Sequence, residues 1–187
     1  QIRINHTRKP VEKLEGKRGV NLPDTNLNLP ALSPKDLQDL EFAAHHADMV
    51  GLSFANSPDD VRALHQRMRE LGREDVGVVL KIETKRGFAN LPDMLLEALK
   101  FPACGVMIAR GDLAVECGFE RMSEIQEEIL WVCEAAHVPV IWATQVLEGL
   151  TKRGHASRAE VTDAAMAQAA EAVMLNKGRY INEAVQM

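Results

Sequence analysis

The feature that most constrains this chain is an alternation. Short, nearly continuous apolar runs are separated by amphipathic stretches of helical period. The runs are Asp48–Phe54, Val76–Ile82, Gly105–Ala109, Val138–Trp142 and Ala172–Leu175. A strand that is apolar on both faces belongs in a parallel sheet covered by helices, because βα crossovers place helices over the faces. The intervening stretches carry helix punctuation. Ser57–Leu71 opens on Ser-Pro-Asp-Asp and closes at Gly72: a capping side chain, a first-turn proline, acids at the positive end of the dipole and a glycine stop. Ser33-Pro34-Lys35-Asp36 starts another helix that runs through Ala44. Ser123–Ala136 carries a Ser-x-x-Gln box at Ser123 and Gln126, with Ile125, Ile129, Val132 and Ala136 on one face. Arg158–Ala170 is Ala-rich and ends just before the last strand.

Strand ends recur about every thirty residues, the period of a βα unit. The fold class is therefore α/β, built from parallel βα units. Such units do not close an eight-stranded barrel here, so they form either an open sheet or part of a larger (β/α)8 barrel of the TIM type. The chain ends at Met187, early in a helix after the last strand, which suggests a cut. The opening is different in kind. Gln1–His6 alternates apolar and polar residues like a half-exposed strand, and Asn21–Pro34 is a proline-punctuated connection. Residues 1–25 are expected to be the end of a separate inserted, lid-like domain with its return linker, and residues 26–187 the barrel units.

Composition excludes some functions. With 26 % charged residues and a net charge of -5, nothing favours nucleic acid or an anionic membrane as a partner. No apolar run approaches the roughly 18 residues of a membrane span, and Gln1–Pro10 lacks the apolar core of a signal peptide. Cys104, Cys117 and Cys133 are too irregularly spaced for a disulfide framework or a zinc site, so free thiols in a reducing cytoplasm are expected. The histidines, such as His45-His46 at a helix end, show no ligand spacing.

The chemistry gathers at the C-terminal ends of the strands, where βα folds bind ligands. In Lys81-Ile82-Glu83 the two charged residues lie two apart and share a face. They make either a site or a strand-capping ion pair. In Ile108-Ala109-Arg110-Gly111-Asp112-Leu113 an apolar strand runs into a glycine and then a carboxylate, with a helical turn expected from Leu113 that could aim amides at an anion. Glu83 and Asp112, one unit apart, suit Mg²⁺ or Mn²⁺, which prefer oxygen ligands and keep positions open for substrate oxygens. A turn Asp that only caps this helix is an equal alternative. Thr144 and Ser53-Phe54 take the equivalent strand-end places in the neighbouring units.

Gly19-Val20-Asn21-Leu22-Pro23, Lys81-Ile82-Glu83, Met107–Leu113, Ala143–Glu148 and Arg158-Ala159-Glu160 resemble, in order and spacing, the pyruvate kinase family over nearly the whole chain from about Lys17. The resemblance implies the second half of that family's catalytic barrel, with transfer of a phosphoryl group from phosphoenolpyruvate to ADP, yielding pyruvate and ATP. It implies that Glu83 and Asp112 hold Mg²⁺ or Mn²⁺, and that Lys81 stabilises charge on the phosphoryl group and the enolate. It implies that the Gly111 and Asp112 amides and the Thr144 hydroxyl hold the substrate carboxylate, while Ser53 and Phe54 line the pocket. A K⁺ ion, with ligands on strands outside this chain, and a homo-oligomeric full protein are also implied. This sequence departs from the family at Asn176-Lys177-Gly178, where Ser-Gly-Glu-Thr-Ala is usual, at Ala156-Ser157 before Arg158, and at Ala55-Asn56, where a basic residue is expected. Two other readings stand beside it: a Mg²⁺-dependent lyase or aldolase acting on a pyruvate enolate, and a non-catalytic module derived from a pyruvate kinase.

Overall fold

The computed structural model describes residues 20–187 apart from 24, 26 and 28. The Gln1–His6 strand, and most of the lid-like segment expected over residues 1–25, lie outside the described residues. Five parallel strands form one sheet in chain order: β1 (Met49–Leu52), β2 (Gly77–Ile82), β3 (Cys104–Ala109), β4 (Val140–Val146) and β5 (Ala172–Leu175). Register is continuous across the middle: Lys81 pairs with Met107, and Met107 with Ile141.

Helices cover one face. Val78, Leu80 and Ile82 of β2, Val106 and Ile108 of β3, and Val140 and Trp142 of β4 pack into one buried layer. Opposing them are Val61, Leu64 and Met68 of α2 (Pro58–Glu70), with α3 (Lys85–Ala89) and α4 (Leu91–Ala98) following β2. Leu91, Met94 and Leu95 of α4 are buried in the same layer, as are Ile125, Ile129 and Cys133 of the later helix α6 (Met122–Ala135). Each large apolar side chain so buried stabilises the fold by about 1.5–3 kcal/mol. The opposite face carries Gly51, Lys81, Met107 and Ile141, all partly or fully exposed. In a closed barrel this face is the interior.

The caps explain the helix boundaries. Ser33 stands before α1 (Pro34–His46) in a reciprocal capping box with Asp36, and before α2 the Ser57 amide donates to Asp60 Oδ2 at 2.9 Å while the Asp60 amide is given to the Ser57 carbonyl; each serine is followed by proline in the first turn. The Ser123/Gln126 box expected for α6 is not formed. A 3₁₀ turn at Phe119–Arg121, entered through Gly118 at φ 93°, runs directly into α6 and places Ser123 inside the helix. After α7 (Glu148–Arg153), Arg158–Ala170 divides into α8 (Arg158–Met166) and a 3₁₀ turn at Ala167–Ala169. β4 begins and ends later than expected. The Val138 amide is taken by the Cys133 carbonyl at the end of α6, and Pro139 has no N–H to give. At the other end the strand continues irregularly through Thr144 to Val146.

Candidate active site

β1 stops at Leu52 because Phe54 turns the chain at φ 51°. That turn presents the Phe54 amide to Glu83 Oε2 at 2.6 Å. Glu83 is only 5 % exposed. Its other oxygen, Oε1, lies 3.1 Å from Lys81 Nζ, and Lys81 Nζ also donates to Ser53 Oγ at 2.8 Å. Ser53, Phe54, Lys81 and Glu83 therefore form one connected group. A carboxylate this buried needs such partners, since its desolvation is otherwise uncompensated. Lys81 remains partly open, with 28 % of its side chain exposed, so it can meet a ligand while Glu83 anchors it.

Asn56 stands where a basic residue was expected, and it is committed to the fold. Its Nδ2 donates to the Phe54 carbonyl at 2.7 Å, its carbonyl accepts from Asn90 Nδ2 at 2.7 Å, and its Oδ1 accepts from the Thr84 hydroxyl. Gly87 is required beside this loop, because a Cβ there would strike the Ala55 carbonyl.

A second group sits on the next two strands. Helix α5 (Arg110–Cys117) starts directly after β3, not at Leu113, so Gly111 and Asp112 lie in its first turn. The Gly111 amide donates to Thr144 Oγ1 at 3.0 Å, and the Thr144 hydroxyl donates to its neighbour's carbonyl, Ala143 O, at 2.7 Å. A Cβ on Gly111 would meet nothing nearer than the Thr144 methyl at 4.0 Å. The protein's own packing thus does not demand glycine there, and the bare backbone leaves space for a ligand. Ile82 pairs with Ile108, so Glu83 follows level with Ala109, a short step along the chain from Asp112.

Backbone strain marks the end of β4. Thr144, Gln145 and Leu147 have φ of 65°, 57° and 47°. Positive φ is unusual for any of these and a real outlier for β-branched Thr, costing about 1–3 kcal/mol per residue. No pattern in the sequence signals this.

The sequence reading also passed over Arg110, Asp163, Asn21 and Glu116. Arg110 Nε donates to Ala143 O at 2.8 Å and Nη2 to Thr144 O at 2.6 Å, while Nη1 pairs with Asp163 and the guanidinium lies 4.9 Å from the Trp142 ring centroid. An arginine immediately after a buried strand was the available signal. Asn21 Nδ2 reaches toward Asp112 Oδ1 at 3.5 Å and Glu116 Oε1 at 3.4 Å, which brings this asparagine to the site.

A cavity of about 1340 Å³ is lined by Val20, Leu27 and Leu32 together with Ser53, Phe54 and Thr84; Lys81, Glu83, Asp112 and Thr144 do not line it. Cys104, Cys117 and Cys133 are free thiols. Burial pushes Cys133 up to about 12 and raises Cys104 and Cys117, the neighbouring Glu116 adding to the last. No helix among the described residues is long and apolar enough to cross a membrane.

Comparison with known proteins bears on this arrangement. Residues 3–185 match the family described as pyruvate kinase, barrel domain. The chain is 41 % identical over 181 residues to pyruvate kinase 1 of Trypanosoma brucei brucei, covering 93 % of this chain and 35 % of that protein. It is 38 % identical over 182 residues to the pyruvate kinase of Debaryomyces hansenii (94 % and 35 %), and 36 % over 180 residues to that of Bacillus licheniformis (92 % and 30 %). The chain thus spans about a third of the length of these relatives.

Proposed function

The chain belongs to the pyruvate kinase family, and on that premise we propose that its strand ends supply the phosphoenolpyruvate side of a site that transfers a phosphoryl group to ADP. The observation that carries this reading is the placing of Lys81, a partly open ammonium fixed between Ser53 Oγ and a buried glutamate, with an exposed glycine whose amide meets a threonine hydroxyl at the ends of the next two strands.

The substrate carboxylate would be received at the first turn of α5. There the helix dipole is positive, and the Gly111 amide, now given to Thr144 Oγ1, and the Thr144 hydroxyl, now given to the Ala143 carbonyl, would turn to the ligand. Lys81 then faces the phosphoryl group. The bond between phosphorus and the enol oxygen breaks, a bond to a terminal oxygen of ADP forms, and the enolate takes a proton at its methylene carbon to give pyruvate. Negative charge spreads over the oxygens during transfer, and Lys81 neutralises part of it without moving. Ser53 keeps the ammonium in place, and Glu83, held by the Phe54 amide, sets its direction.

The donor chemistry fits a hard divalent cation. Glu83 and Asp112 offer carboxylate oxygens, and each keeps lone pairs beyond the contacts described above. Among the described residues no cluster of three or more His, Cys, Asp or Glu side chains is gathered, so substrate oxygens and water would complete the coordination. A bound Mg²⁺ or Mn²⁺ would add further neutralisation of phosphoryl and enolate oxygens. The lid-like reading of residues 1–25 places the nucleotide side of the site beyond the strand ends described here.

The test is pyruvate formation by the natural full-length protein, coupled to NADH oxidation. Turnover should need phosphoenolpyruvate, ADP and a divalent cation together. Formation of an aldol product from pyruvate and an aldehyde, without nucleotide dependence, would replace this reading with the lyase one.

A further inference from the structure

Arg110 is 12 % exposed at its side chain, and its guanidinium nitrogens are all engaged inside the protein. It is therefore unavailable to a substrate, although it adjoins Gly111. What it does hold is the end of β4. Two of its donors grip consecutive carbonyls, those of Ala143 and Thr144, at the point where the backbone enters the left-handed region. Asp163 of α8 fixes the third nitrogen, and the Trp142 ring supports the guanidinium plane from below. A β-branched residue at φ 65° does not persist unless its surroundings over-determine it. These contacts supply that constraint.

We propose that Arg110, braced by Asp163, is a positioning residue that holds Thr144 in its left-handed conformation so that its hydroxyl stands over the Gly111 amide. This rests on the reading of Gly111 and Thr144 as the carboxylate-binding pair. The fork is the essential element. Lysine retains the charge but cannot donate along two fixed directions to adjacent carbonyls. Arg110→Lys is then the informative substitution, and Asp163→Asn is the milder one, which loosens the brace while leaving the fork.

The experiment uses the natural full-length protein and oxalate, a planar dicarboxylate shaped like the pyruvate enolate. Arg110→Lys is expected to weaken oxalate binding and raise KM for phosphoenolpyruvate about tenfold or more, with KM for ADP within about twofold. In a Thr144→Ala background the same change should cost less than about threefold, because both substitutions remove one device. Asp163→Asn should move oxalate affinity in the same direction by a smaller factor. Amide exchange should quicken at residues 142–147 in both variants while β2 stays protected. If Arg110→Lys does not fold, Asp163→Asn carries the measurement. Effects of Arg110→Lys and Thr144→Ala that multiply, or an unchanged oxalate affinity in a protein that turns over, would overturn the positioning role and leave the proposed function standing. A wild-type protein that neither binds oxalate nor makes pyruvate would overturn both.

Discussion

Replacing Lys81 by Met separates structural from chemical roles at the site. Lys81 Nζ lies 3.1 Å from a carboxylate that is 5 % exposed. Removing one partner of a buried pair costs about 3–5 kcal/mol. Because over a quarter of the lysine side chain is open to water and the Phe54 amide still serves Glu83, the expected loss is nearer 1–3 kcal/mol. Turnover should suffer differently. A unit charge about 4 Å from a developing oxygen charge is worth about 4 kcal/mol at an effective dielectric near 20. At about 1.4 kcal/mol per decade this is a factor near 10³, trimmed by solvent to about 10²–10³ in kcat. Adding Glu83→Gln to Lys81→Met isolates the stability effect, because Glu83 is itself a proposed metal ligand. The double variant relieves the unpaired buried charge, so its melting temperature should recover toward wild type, while kcat stays low. Thermal melts and coupled turnover on the same preparations read the two effects. A kcat for Lys81→Met within tenfold of wild type, or turnover that returns with stability in the double variant, would reduce Lys81 to an ion-pair partner and refute the reasoning.

Other outcomes follow from the same geometry. Glu83→Gln and Asp112→Asn should each weaken Mn²⁺ binding about tenfold or more, read by Mn²⁺ titration, since each removes a hard anionic donor; unchanged affinity in both would place the metal elsewhere. The Ser157 and Gly149 amides hold the Glu160 carboxyl below its ordinary value of 4.5. Its stabilisation is present above that value and is lost as pH falls through the lowered one. Acid melts should therefore show a destabilisation below pH 4.5 that Glu160→Gln flattens. Gly87→Ala would push on the Ala55 carbonyl and displace the Ser53-Phe54 turn, so kcat/KM for phosphoenolpyruvate should fall about tenfold; normal kinetics would show that the turn yields freely. Among the described residues β1 and β5 each pair on one side, so the isolated 187-residue chain should self-associate in light scattering. A stable monomer with protected edge strands would show that these units form a closed fold of their own.

Much of this was legible because the governing pattern is coarse. Apolar runs place β2 to within a residue, since burial on both faces leaves few other options, and they place Ala172–Leu175 without error although that strand is largely exposed among the described residues. The Lys81–Glu83 pair was legible for the same reason: alternate residues share a strand face. What stayed hidden depends on backbone dihedrals and long-range contacts. The left-handed Thr144 and Gln145 leave no mark in composition, and they carry β4 beyond the expected Trp142. The short helices α3 and α4, divided at Asn90, lack the length for a periodic signal. What Arg110 holds stays hidden until its partners, far along the chain, are folded onto it.

Spatial order matching chain order has a consequence for how the polypeptide is made. Each strand finds its ladder partner in the unit just before or just after it. The loop closed at each pairing is about thirty residues long, and closure entropy grows only logarithmically with that length. No strand among these has to wait on the ribosome for a distant partner while its apolar surface stays bare. Synthesis can therefore lay the sheet down strand by strand, each new βα unit docking on a template already in place. The period is short, but contacts remain non-local enough that assembly is slower than in a helical bundle.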